Sequence, residues 1–204
     1  MTARRLKRLA ADRSGLAAVE FAILAPIAIG LATVGFAGVM LHAGAVSLEM
    51  GAAAAARASI IGAIPAGTTR PAEIRRIVTA HVCPPGGGFC YWDSGWLAES
   101  DDGVVAPLRI EMRAYVDPRN IGRPEPFTDL SPYNGVYDFG ETFTDVNGNG
   151  IWDADMGRAE PGGSGDHVVF RLTMAQAVRH PLLTPIMGAR LLHQAQIVVR
   201  NEPF

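Results

Sequence analysis

Residues 21–48 contain no Lys, Arg, Asp or Glu. That absence excludes an ordinary solvent-facing helix, and the run exceeds the roughly 20 apolar residues that cross a bilayer core as helix. Cysteine is scarce: Cys83 and Cys90 are the two in the chain, in CPPGGGFC. Their spacing is not the C-x2-C of zinc or thioredoxin-like sites. The glycines and prolines between them allow a tight reversal, which predicts a small-loop disulfide and an oxidising compartment. None of the five histidines stands in an H-E-x-x-H pattern. Gly162-Gly163-Ser164-Gly165 lacks the spacing of a nucleophile elbow, and no phosphate-cradling glycine loop follows a strand. No enzyme is expected. Without residues 1–15, thirteen of the eighteen bases and nineteen of the twenty acids remain, a net of -6. An acidic body excludes nucleic acid as the expected partner, because phosphate contacts need a basic face.

The bases at the start are grouped. Arg4, Arg5, Lys7, Arg8 and Arg13 precede the apolar run, which predicts a cytoplasmic N-terminus with the remainder outside. A secretory signal would have a shorter apolar region, roughly 7–15 residues. Here the run continues into GAAAAARASIIGA, residues 51–63. One helix is expected from Leu16 to near Ile61, roughly 60 Å long at 1.5 Å per residue, with Pro26 tolerated early in it. Its outer half would leave the membrane. Small residues recur four apart, as in Ala28 and Ala32, or Gly51 and Ala55, a spacing that lets helices approach closely in lipid. The expected organisation is a basic leader over 1–15, a transmembrane and extended helix over 16–64, and an outer domain over 65–204.

The junction reads Ser14-Gly15-Leu16-Ala17-Ala18-Val19-Glu20-Phe21. A lone acid opening an apolar span is costly in lipid and needs a reason. The run RSGLAAVEFAILAPI resembles the opening of TadE-like minor pseudopilins of tight-adherence (Tad/Flp) pilus systems, on Gly15, Ala17, Ala18, Val19, Glu20, Phe21 and Pro26. The alanine-rich continuation through Arg57 and the ending VVRNEPF are also similar to that family. The resemblance implies cleavage by a prepilin peptidase between Gly15 and Leu16. Glu20 would then be fifth in the mature chain and would pair with the new N-terminal ammonium of a neighbouring subunit. It also implies other pilins, pseudopilins and inner-membrane Tad assembly proteins as partners, residence in the bacterial inner membrane, and incorporation in a pilus. The competing reading is an uncleaved single-span membrane protein whose outer domain binds a ligand or surface.

The outer domain reads as α+β, with a small antiparallel sheet. PAEIRRIVTAHV, 71–82, has a helical period. LRIEMRAYVD, 108–117, alternates as a half-buried strand, HVVFRLTMAQAV, 167–178, is a second, and QAQIVVRN, 194–201, a third. PLLTPIMGARLLH, 181–193, reads as a short helix or turn. Between the strands lies a Gly-, Pro-, Asn- and Asp-rich insertion, 123–165, that repeats itself. Glu125, Phe127 and Asp129 match Glu141, Phe143 and Asp145; Asn134, Gly135, Tyr137 and Asp138 match Asn149, Gly150, Trp152 and Asp153. A loop this long needs something to order it. Asp145-Val146-Asn147-Gly148-Asn149-Gly150-Ile151-Trp152-Asp153 fits the first nine positions of an EF-hand-type loop. Ca²⁺ is therefore expected there, on side-chain oxygens of Asp145, Asn147, Asn149 and Asp153 and the carbonyl of Ile151. Met156 stands where the usual glutamate would, so Glu141 or Asp155 would have to close the shell. The alternative is a solvated Asn-Gly turn without metal.

Overall fold

The computed structural model describes residues 15–60, 65–87, 89–160 and 162–201. The basic leader up to Ser14, residues 61–64 and the last three residues lie outside the described residues.

Helix α1 runs unbroken from Leu16 to Ile60, 45 residues, with Pro26 inside it. Over Ala17–Ala58 it is long and apolar enough to cross a membrane, with a mean hydropathy of 2.1 in its most apolar window. Its two halves differ. Through Ala32 the described side chains are almost all exposed, Phe21 and Leu31 at 71% each. From Val34 onward a stripe turns inward: Ala37, Leu41, Gly44, Leu48, Ala52 and Ala55. Steps of three and four residues keep such a stripe on one face of a helix.

Helix α2 spans Arg70–Val82. The Thr69 side chain accepts from the Ala72 N–H, and Pro71 occupies the first turn, where its missing N–H costs nothing. Ile74, Val78 and Val82 are buried beneath it. It packs on α1 at Gly51, where a Cβ would lie 3.1 Å from Val78 Cα. The helix ends at Cys83, which forms the expected disulfide with Cys90. The Tyr91 N–H donates to the Val82 carbonyl and closes the loop at its base.

A short hairpin follows, β1 (Ala98–Glu99) and β2 (Val105–Ala106). The main sheet has three antiparallel strands in the order β3 (Leu108–Tyr115), β4 (His167–Ala177), β5 (Arg190–Arg200). Period two puts alternate residues on one face. Leu108, Ile110, Met112 and Ala114 register against Met174, Leu172, Phe170 and Val168, which register in turn with His193, Ala195, Ile197 and Val199. That face meets Leu48, Ala52 and Ala55 of α1 and the inner face of α2, forming one core. Burying each large side chain there contributes roughly 1.5–3 kcal/mol. The opposite face is mixed, with Arg109, Glu111, Arg171 and Gln196 beside Val169 and Val198, and Glu111 pairs with Arg109 at 2.9 Å.

The fold is thus α+β, but its core does not begin at residue 65. Helix α1 supplies one wall of it, so the expected outer domain over 65–204 lacks part of its own interior. Strand β5 also starts earlier than the sequence pattern suggests. Arg190 to His193 continue the ladder on Ala177 to Met174, which leaves a short helix, α3 (Thr184–Met187), as the turn between β4 and β5. One polar chain ties sheet to helix within the core. His193 Nε2 lies 2.9 Å from Gln176 Oε1, and Gln176 Nε2 donates to the Met40 carbonyl at 3.0 Å. Gly44 leaves room for this side chain; a Cβ there would fall on Gln176 Oε1.

Candidate functional site

Two regions carry the residues singled out by sequence. The first is the head of α1. The Gly15 carbonyl accepts the opening helical hydrogen bond from Val19 N–H at 3.2 Å. Gly15 is exposed, and Leu16 begins the helix. Glu20 is exposed and has no ion-pair partner among the described residues, and Phe21 beside it is exposed. The expected cleavage position at Gly15, the acid and the aromatic therefore lie within two turns, on a stretch that touches nothing else described.

The second is the insertion, and the repeat seen in the sequence is a repeat in space. Phe127 and Phe143 form an antiparallel bridge. Thr128 N–H donates to the Thr142 carbonyl and Thr144 N–H to the Pro126 carbonyl, both at 2.8 Å. These two bonds are the same bond under exchange of the copies, so the insertion has an internal pseudo-twofold. The exchange extends to the acids. Glu125 accepts from Val146 N–H at 2.7 Å, Asn147 N–H at 3.2 Å and Asp153 N–H at 3.1 Å. Glu141 accepts from Leu130 N–H at 2.7 Å and Asp138 N–H at 2.9 Å. Each glutamate therefore fastens the loop of the other copy. Both are buried, Glu125 completely. The Trp152 ring N–H adds a bond to the Glu125 carbonyl at 2.9 Å. Tyr137 and Trp152 stack at 4.6 Å, with Phe127 edge-on to both and Phe143 edge-on to Tyr137. Phe143 and Trp152 thus help clasp the two loops to each other.

Within the 145–153 loop, Asp145 accepts from Gly148 N–H at 2.6 Å and Gly150 N–H at 2.9 Å. Asn147 and Asn149 bring their amides to one point, each Nδ2 lying 2.6 Å from Asp153 Oδ2. Gly150 has φ +81°, the left-handed turn expected at its position. The structure therefore gathers Asp145, Asn147, Asn149 and Asp153, with Ile151 in the same turn. The amide oxygens face the other way, Asn147 Oδ1 accepting from Asn149 N–H at 3.0 Å and Asn149 Oδ1 from Ile151 N–H at 2.9 Å, so the loop closes on its own hydrogen bonds with NH₂ groups at that point. No group of three or more His, Cys, Asp or Glu side chains is placed to hold a metal among the described residues. Two of the four expected side-chain ligands, Asn147 and Asn149, are amides.

The two residues expected to complete the shell are engaged elsewhere. The Glu141 carboxylate serves the first loop. Asp155 Oδ1 accepts from the Tyr115 hydroxyl at 2.6 Å and from Gly157 N–H at 3.1 Å. Burial, and then this bond to Asp155, push the Tyr115 hydroxyl up to about 12. Met156, at the position of the missing glutamate, is 7% exposed and helps seat the insertion. The seat is completed by paired bonds between Ala114 and Arg158 at 2.8 and 3.0 Å. Glu125 was not a candidate ligand or fastener in the sequence. Its match to Glu141 in the repeat was the signal that marked it.

No family model, curated protein or solved structure matches the chain.

Proposed function

We propose that the chain is a membrane-anchored minor pseudopilin of TadE-like type, an assembly subunit of a Tad-type pilus rather than a catalyst. The reading rests on one observation. The long helix divides into a first stretch, through Ala32, that touches nothing else among the described residues and a remainder that forms a wall of the domain core, and Glu20, without an ion-pair partner among the described residues, stands near the free end. Cleavage after Gly15 would leave an ammonium at Leu16, on a helix N-terminus whose dipole disfavours a cation. A carboxylate from an adjoining subunit offsets that cost and the cost of either charge in lipid. The free half would lie among neighbouring helices in the inner membrane, and the domain would face the periplasm or the outside of the cell.

The paired-loop insertion sits on this domain as a rigid display element. In the proposal, Ca²⁺ binds the second loop through Asp145, Asn147, Asn149, Asp153 and the Ile151 carbonyl, replacing amide NH₂ groups at the shared point with oxygens. Glu125 holds the backbone of that loop in shape.

The test is the mass of the chain recovered from membranes, with and without the prepilin peptidase. The proposal expects loss of residues 1–15 and a methylated Leu16 when the peptidase is present. An N-terminus intact at Met1 in both cases would favour an uncleaved single-span protein instead.

A further inference from the structure

The span and the domain overlap in the helix, and the overlap has a geometric consequence. This inference rests on the membrane-anchored reading above. The part of α1 free of the domain, Leu16 to Ala32, is seventeen residues. At 1.5 Å per residue that is about 25 Å, short of a hydrocarbon core of about 30 Å. A span that starts at Leu16 must continue to about Gly35, and one that starts after Glu20 to about Met40. The domain already touches the helix there. His180 Nε2 is hydrogen-bonded to Thr33 Oγ1 at 3.1 Å, and Gln176 reaches the Met40 carbonyl.

The part of the domain at this level has the surface that such a position requires. From Pro181 to Ala189 the chain carries no ionisable side chain. Within it Leu182 is 57% and Ile186 81% exposed. The disulfide loop presents Phe89, next to Cys90 and 61% exposed. An apolar groove of about 500 Å³ opens between these two segments, lined by Phe36, Met40, Phe89 and Leu183 among others. Three exposed apolar side chains flanking the emerging span are costly in water and favourable at the lipid interface.

We infer that the β4–β5 turn carrying α3, together with Phe89 of the disulfide loop, is seated in the interfacial layer of the leaflet on the domain's side. The domain thereby stands directly on the bilayer. The insertion lies toward the far end of the sheet. Its anchor at Ala114 registers with Val168, eight residues along β4 from Gln176, or about 27 Å.

Full-length protein carrying Ile186→Cys, Val146→Cys or Ile27→Cys, labelled with an environment-sensitive fluorophore, tests this in phosphatidylethanolamine–phosphatidylglycerol vesicles. The native cysteines are disulfide-bonded and do not take the label. Lipids with a nitroxide near the headgroup or at mid-chain serve as quenchers. The expected result is a blue shift at 186 and severalfold stronger quenching by the shallow nitroxide than by the deep one. Position 27 should be quenched best by the deep nitroxide, and position 146 by neither. Quenching at 27 without quenching at 186 would overturn the inference and leave the span intact. Absence of quenching at 27 would remove the span and the inference with it. Cross-linking of 186 to a second copy, without lipid quenching, would assign the surface to a protein contact and overturn the lipid seat.

Discussion

Replacing Glu125 by Gln should loosen the loop that is distant from it in sequence and spare the loop that follows it directly. The carboxylate accepts three backbone N–H groups, from Val146, Asn147 and Asp153. An amide keeps one acceptor oxygen and turns an NH₂ toward the remaining donors, so at least one N–H is left facing a donor. Hydrogen bonds to a charged group contribute about 1.5–3 kcal/mol, against about 1 for neutral ones, and a donor stranded out of water costs a further 1–3. The residues of the second loop are themselves largely exposed although Glu125 is buried, so the lower ends apply, and the loop should lose about 3 kcal/mol against local opening. At 1.4 kcal/mol per factor of ten, this is about a hundredfold faster amide exchange at residues 146, 147 and 153. The assay is hydrogen exchange on full-length protein in detergent with a chelator present, so that no cation contributes. Glu141→Gln is the mirror experiment and should act on Leu130 and Asp138, with two bonds at stake and about a thirtyfold effect. The exchanged-arm account is refuted if Glu125→Gln changes exchange at 146, 147 and 153 by less than about threefold, or loosens both loops equally.

Other outcomes follow from the same contacts. Millimolar calcium should raise the melting temperature of the full chain in detergent by several degrees, and Asp145→Ala combined with Asp153→Ala should abolish the rise; no rise in the unmutated protein would remove the metal from the account. Gly51→Leu should destabilise the domain by roughly 3 kcal/mol in urea titrations, because its new side chain meets the Val78 backbone, whereas Gly38→Ala, where a Cβ meets nothing within 4 Å, should stay within about 1 kcal/mol. Burial holds the His193 ring below its ordinary 6.5. The unfolded chain then takes up the proton first, so this contribution is fully present above about pH 7, begins to fall near the unfolded value and is lost as pH falls through the lower folded value. Melting temperatures between about pH 7.5 and 5.5 should show that slope in the native protein and a flatter one in His193→Gln.

Much of this fold was legible because periodicity is a local signal. The charge-free run and its alanine-rich continuation gave a single helix from Leu16, and the alternation in LRIEMRAY gave β3 with its buried face assigned correctly. The disulfide was legible from the turn residues between Cys83 and Cys90. What local pattern does not carry is which wall closes the core. Leu48, Ala52 and Ala55 read in sequence as the stretch where the helix leaves the membrane, with no sign that they cover the sheet. The start of β5 was hidden for a related reason: Arg190 to His193 extend only because β4 offers a free edge to pair with. In the insertion the repeat gave the two loops and their acids, but not the exchange of Glu125 and Glu141 between them. A pseudo-twofold is a property of the pair, and neither copy announces it alone.

The most direct test of the proposed assembly role concerns Glu20. In cells that assemble the pilus, recovery of this chain cross-linked to neighbouring pilin subunits should be compared for the native sequence and Glu20→Ala, with membrane levels of the chain matched. If an acid at the free end of the helix pairs with an adjoining subunit's new amine, the substitution should remove most of the cross-linked product while cleavage after Gly15 continues. Undiminished cross-linking by Glu20→Ala would contradict the account and leave the exposed carboxylate without a role.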